Sequence, residues 1–329
     1  MYKTTLFLFA LTGLFACHST GGSQTANQIK TSPEVSQKGK SVPPFNRDSS
    51  FSFLKKQCDF GSRVPNTAPH KECANYLVEE LKRFGAEVIE QNADLKAYDG
   101  TILKSKNIIG IFYPEKINRV ILFAHWDSRP FADHDPDPAN HRKPVMGAND
   151  GASGVAVLLE IARQLQQHEP SVGVDIVFLD AEDYGEPSFE SSNKQDTWCL
   201  GAQYWGKNPH YKIKPKYGIL LDMVGCPNPE FRKDVISDRI APDVAAKVWN
   251  AARELGYSDY FQHGQGGSII DDHLYINTLT GIPTIDIIDF GYERGFPETW
   301  HTINDTPENI DVHTLEMVGK TVIKVLYSE

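Results

Sequence analysis

The stretch VDIVFLDAED, residues 174–183, decides the fold. Val174, Ile176, Val177, Phe178 and Leu179 form a short apolar run of the kind that makes a strand buried on both faces. The run breaks at once into Asp180, Glu182 and Asp183. Carboxylates at the end of a buried strand are costly to desolvate unless something positive sits among them. An isolated run of this kind reads as a solvated strand exit, but here the pattern recurs. Residues 120–123 lead into His125 and Asp127, residues 217–221 into Asp222, and residues 282–288 into Asp286 and Asp289. Open α/β sheets place their ligands at the carboxyl ends of the strands. Acids and a histidine gathered there predict a cation held by oxygen and imidazole, zinc above all.

Working outward, residues 69–84 predict a helix. Pro69 opens it, Ala74, Leu77, Val78, Leu81 and Phe84 form one stripe, and Gly85 closes it. Residues 87–91 and 106–112 read as strands joined by a hairpin around Asp99-Gly100. Helices are expected over 155–167, from Leu200, over 241–255 and over 312–327. Residues 44–63 pack against the domain through Phe45, Phe51, Phe53 and Leu54. The tract 129–145, dense in Pro, Asp and His, reads as an irregular rim more than as a metal-binding run. In GANDGASG, residues 147–154, the spacing and the missing lysine exclude a phosphate loop, which leaves Asp150 as a ligand. Strands alternating with helices imply a single α/β domain, residues 45–329, with a mixed, mostly parallel sheet.

The chain of 329 residues is ordinary for a soluble protein, with 40% hydrophobic and 23% charged residues. Its net charge of −10 argues against a nucleic-acid partner. Lys3 precedes an apolar segment, residues 6–15, too short to span a bilayer, which is the shape of a secretory signal over residues 1–16. Leu14-Phe15-Ala16-Cys17 resembles the lipobox of bacterial lipoproteins, with Cys17 as the lipidated residue and Phe15 bulkier than usual. Residues 17–44 then read as a flexible tether. The expectation is an exported, periplasmic protein held to a membrane only by its lipid. Cys58, Cys73, Cys199 and Cys226 remain, and their pairing is open; none of the spacings is a zinc ribbon. No extended apolar helix face is left over, so a monomer is expected.

His125, Asp150, Glu182, Asp183, Asp222 and His301 together have the composition of a metal hydrolase site, with acid and imidazole ligands and one free carboxylate to carry a proton. Adjacent Glu182 and Asp183 leave a strand in different directions, so one can bind metal while the other faces substrate. From about residue 65 to the C-terminus, about four-fifths of the chain, the sequence resembles the zinc aminopeptidase superfamily. The shared residues are Ala124–Ser128, Gly147–Gly154, Asp180–Asp183, Leu221–Met223 and His301-Thr302. Within that superfamily it resembles the glutaminyl-peptide cyclotransferases of animal type, in a bacterial lipoprotein form. The residues that narrow it are Asp222–Pro229, Ile270–His273 and Phe296–Thr302.

The resemblance implies a zinc-exopeptidase-like, three-layer α/β/α fold. It implies one zinc held by Asp150, Asp183 and His301, with Glu182 as general base and acid and Asp271, bonded toward Asp222, completing the proton network. Many cyclases have glutamate where this chain has Asp183. Trp300 and Phe296, with Trp198 or Tyr184, would wall the substrate pocket, and peptides or proteins with N-terminal glutamine would be the substrates. His125 and Asp222 also supply what a second metal needs, so a di-zinc aminopeptidase is the first alternative. A non-catalytic peptide-binding lipoprotein is the second.

Overall fold

The computed structural model describes residues 42–191 and 194–329; the expected signal, Cys17 and nearly all of the expected tether lie outside the described residues. Pro43 is already buried, so the domain begins slightly before residue 45. The strands are β1 (Glu87–Lys96), β2 (Ile102–Phe112), β3 (Arg119–His125), β4 (Gly173–Leu179), β5 (Gly218–Asp222), β6 (Phe231–Lys233), β7 (Phe261–Gln265) and β8 (Thr284–Ile288). Among the described residues the main sheet runs β1-β2-β4-β3-β5-β8, and β6 and β7 form a separate pair. The hairpin β1–β2 and the β2–β4 pair are antiparallel, while β4–β3, β3–β5 and β5–β8 are parallel. The sheet is therefore mixed and mostly parallel, as the alternation of elements predicts.

Every residue of β3, β4, β5 and β8 is buried, and successive side chains enter opposite layers. Val120, Leu122 and Ala124 of β3, with Val174, Ile176 and Phe178 of β4, join the larger core. That layer is closed by α1 (Arg47–Asp59), α2 (Ala68–Arg83), α3 (Ala152–Gln167), α6 (Pro242–Glu254) and α8 (Val312–Tyr327). Ile121 and Phe123, with Val177 and Leu179, face the other layer, where Trp205 of α4 (Leu200–Lys207) and Ile276 of α7 (Asp272–Thr280) meet them. The three layers follow from strands that are apolar on both faces.

Some expectations need correction. Asp286 is not at a strand exit. It lies inside β8, paired with Leu220, between Ile285 and Ile287 of the larger core, and so points to the α7 side. Within the 44–63 segment the helix α1 is capped by the Asn46 side chain, and Phe45, Phe51, Phe53 and Leu54 pack on the larger core as expected. Helix α7 begins at Asp272, with Asp271 as its N-cap. Cys58, Cys73, Cys199 and Cys226 are all buried free thiols.

Candidate active site

The parallel strands β3, β4, β5 and β8 end on one edge, and the chemistry collects there. His125 is the last residue of β3 and Asp222 the last of β5; Glu182 and Asp183 follow β4, and Asp150 precedes α3. Gly151, at φ +125°, makes the close approach possible: a Cβ there would lie 2.6 Å from the His125 ring. Ahead of α2, buried Arg63 donates to the carbonyls of Trp126 (2.9 Å), Met146 (2.8 Å) and Gly147 (2.6 Å), tying the β3 exit to the glycine turn.

Two buried aspartates grip the backbone beside the expected ligands. Asp127 accepts from the N–H groups of Glu182 (3.1 Å) and Asp183 (3.2 Å). Asp305 accepts from those of Asn149 (2.7 Å) and Asp150 (3.1 Å). Each carboxylate fixes two successive amides and thus the directions in which their side chains leave. Ala181, Cys199, Met223 and His301 all have positive φ, between 47° and 57°, without being glycine. Such backbone costs about 1–3 kcal/mol per residue and gathers at functional sites.

The structure brings Asp150, Asp183 and His301 together, with donor atoms all within 4.8 Å of one another. His301 Nε2 lies 3.3 Å from Asp183 Oδ1 and 3.6 Å from Asp150 Oδ2. Donors bonded at about 2.0 Å to a tetrahedral zinc stand about 3.3 Å apart. Neither oxygen of Asp183 receives a hydrogen bond, and the nearest guanidinium nitrogen, on Arg129, is 3.9 Å away. Burial, then the charge of Asp150, pushes the Asp183 carboxyl well above its usual range. Burial also lowers His301, which keeps its ring neutral. Two carboxylates and one neutral imidazole at this spacing fit zinc.

Glu182 points away from the cage. Its Oε1 accepts from the Cys199 thiol at 3.1 Å, and burial raises its carboxyl well above the ordinary glutamate value, with Asp183, Asp271 and Asp272 adding to the rise. His125 Nε2 sits 3.0 Å from Asp150 Oδ1 and 3.1 Å from Asp222 Oδ1. Burial pushes Asp222 up to about 7, reinforced by Asp150 and Asp271 and opposed by the bond from His125. The Asp271 carboxylate caps α7 through the Asp272 N–H and lies within 4.8 Å of Asp286 and His273. Asp271 and Asp222 line the same cavity.

A cavity of about 380 Å³ opens over these groups, walled by Trp198, Met223, Ile269, Ile270, Phe290, Phe296 and Trp300. The Trp300 ring stacks on His301 at 3.9 Å and meets Phe296 at a tilt, 4.4 Å between centroids, and Trp198 lies parallel to His301 at 5.9 Å. Tyr184 does not line this cavity. It packs in a separate cluster with Ala97, Leu103 and Ala181. Sequence reasoning missed Asp133, Cys199 and Asp305, and also missed the role of Asp127. Only Asp127 carried a signal, as an acid at a strand end.

Residues 107–326 match the pattern of peptidase family M28. The chain belongs to that family. Among solved structures, this M28 chain is similar to a glutaminyl cyclase from Bacteroides thetaiotaomicron. The two are 55% identical with a TM-score of 0.86, over 88% of this chain and 100% of that one. It is also similar to a leucine aminopeptidase precursor from the same species, at 54% identity and a TM-score of 0.86, over 88% of this chain and 99% of that one. Bovine glutaminyl-peptide cyclotransferase is 26% identical over 295 residues, covering 78% of this chain and 76% of the relative.

Proposed function

We propose that this protein is a zinc-dependent glutaminyl-peptide cyclotransferase, converting the N-terminal glutamine of peptides and proteins to pyroglutamate with release of ammonia. The observation that carries the reading is the split between two adjacent carboxylates, Asp183 in the cage and Glu182 outside it, lining a cavity with an aromatic wall. The likeness to bacterial glutaminyl cyclases supports it. Asp150, Asp183 and His301 would hold the zinc, which supplies Lewis acidity toward an amide carbonyl.

The remaining chemistry belongs to the chain. The aromatic wall holds the glutamine side chain folded back on its own α-amine, and that proximity removes much of the entropic barrier. The amine nitrogen bonds to the side-chain amide carbon, and the bond from that carbon to the amide nitrogen breaks. Glu182 takes the proton from the attacking amine and returns it to the departing nitrogen, which leaves as ammonia. A carboxyl raised by burial suits both halves of that transfer. The bond from Cys199 holds Glu182 in place, and Asp271 and Asp222 supply neighbouring acid groups.

The test is ammonia release from a glutaminyl dipeptide set against amine release from a leucine anilide. Amine release without ammonia overturns the reading. The second reading, a di-zinc aminopeptidase, is favoured by one observation: His125, Asp150 and Asp222 form a second buried donor group beside the first. Metal content of one or two zinc ions per chain separates the two.

The reading extends to location. The apolar segment at residues 6–15 and the Leu14–Cys17 box support export and lipidation at Cys17, hence a periplasmic monomer anchored only by its lipid. No helix among the described residues is long and apolar enough to cross a membrane. Cys17→Ser is expected to move the protein from the membrane fraction to the soluble one; an unchanged distribution refutes the anchor.

A further inference from the structure

Beside the cage lies a buried ion pair to which the zinc reading gives no role. Arg129 and Asp133 lie in the rim that follows β3, and both are almost wholly buried. Arg129 donates through Nε to Asp133 Oδ1 (3.0 Å) and through a terminal nitrogen to Oδ2 (2.8 Å). Asp133 also accepts the Ser188 N–H at 2.7 Å. A buried pair of this kind is seldom a net gain in stability over apolar packing. Its neighbours show what else it does.

We propose that Asp133, oriented by Arg129, is the positioning residue that sets His301 for metal binding. The two nitrogens of the His301 ring are divided: Nε2 faces Asp183 and Asp150, and Nδ1 faces Asp133 Oδ1 at 3.3 Å. A proton kept on Nδ1 leaves the Nε2 lone pair free for a cation. The Nδ1 contact is at ion-pair range without the alignment of a hydrogen bond, so a small turn of the ring on metal binding belongs to the proposal. Arg129 reaches a second ligand with its remaining nitrogen, which donates to the carbonyls of Asp183 (2.8 Å) and Gly185 (3.1 Å). Its guanidinium also lies over the Trp198 ring, 4.3 Å from the centroid. One ion pair thus fixes the His301 ring, the Asp183 backbone and one wall of the cavity.

The backbone supports the same assignment. His134 N–H donates to the His301 carbonyl at 3.1 Å, and Ile303 N–H donates to Asp135 Oδ2 at 3.1 Å. The rim is laced to the ligand loop by the two residues that follow Asp133, where His301 holds a left-handed backbone with φ +54°. The tract that reads from sequence as an irregular rim is the bed of the third ligand.

The inference rests on the zinc reading, and the experiment separates the two. Zinc affinity is measured by chelator competition for the wild type, Asp133→Ala, Asp133→Asn, Arg129→Gln and His134→Ala. Loss of a partner behind a ligand weakens metal binding by about 10- to 100-fold. That loss is expected for Asp133→Ala, with a smaller one for Asp133→Asn and Arg129→Gln and none for His134→Ala. Proton–nitrogen correlation spectra of the zinc-loaded wild type should show His301 protonated on Nδ1. Should Asp133→Ala fail to fold, Asp133→Asn decides. Zinc affinity within twofold of wild type in Asp133→Ala, or in Asp133→Asn where Ala does not fold, overturns the proposal even if turnover falls. A large loss in His134→Ala also overturns it, because the metal would then sit among Asp133, His134 and His301. A wild type that takes up no zinc overturns the zinc reading itself.

Discussion

Glu182→Gln tests the reaction most directly. Glutamine matches the side chain in size and keeps an oxygen for the Cys199 thiol, now 3.1 Å from Oε1. The backbone grip of Asp127 on residues 182 and 183 is untouched. The substitution therefore removes one capacity, that of taking a proton and giving it back. A positioned proton shuttle contributes about 10²–10⁴ in rate, or about 2.7–5.4 kcal/mol at 1.36 kcal/mol per decade. Turnover should fall by that factor with little change in KM, because the cavity wall that holds the substrate is unaltered. Zinc content should stay the same, since Glu182 lies outside the cage of Asp150, Asp183 and His301. The assay is coupled ammonia release from a glutaminyl dipeptide, with metal measured by atomic emission on the same samples. Turnover above a tenth of wild type with zinc retained would falsify the shuttle assignment and move attention to Asp271. Lost zinc would instead show that Glu182 and Asp183 have exchanged roles.

Chelation should abolish turnover, and one equivalent of zinc should restore it; recovery that needs two equivalents favours the aminopeptidase reading. Cys199→Ala removes a single hydrogen bond to Glu182, worth about 0.5–1.5 kcal/mol, so kcat should drop by about 2- to 12-fold with KM unchanged. An unchanged kcat removes Cys199 from the machinery. Far from the site, Asp175 accepts two hydrogen bonds from Arg119, at 2.5 and 3.2 Å. Burial alone would raise its carboxyl, but the His210 ring 3.5 Å away and the bonds from Arg119 outweigh burial and hold it below its usual value. A depressed carboxyl contributes its stability in full above the unfolded value of about 3.9 and loses it as pH falls through the folded one. Asp175→Asn should therefore cost about 3–5 kcal/mol near neutral pH by stranding Arg119. The difference in urea midpoint from wild type should shrink below pH 4, and a gap that stays constant into acid refutes the pairing.

The sequence by itself determined the sheet and most of the candidate site. Runs such as residues 174–179 are apolar on both faces, and that is a local property, readable without knowing what packs on either side. Acids and a histidine at the ends of such runs can lie only on the carboxyl edge, so His125, Asp183 and Asp222 were legible as one group before any fold was seen. Tertiary structure alone decided the partners. Tyr184 is two residues from Glu182 in the chain, yet it turns into a different cluster. Asp271 comes within 4.8 Å of Asp286 because β8 presents that side chain toward α7, a matter of strand register and helix docking. Asp133 meets His301 across a separation of 168 residues, through a loop with no periodicity to read. Periodicity reports which face of an element is buried. Which side chains then meet is settled by packing between elements remote in sequence, and no local pattern encodes it.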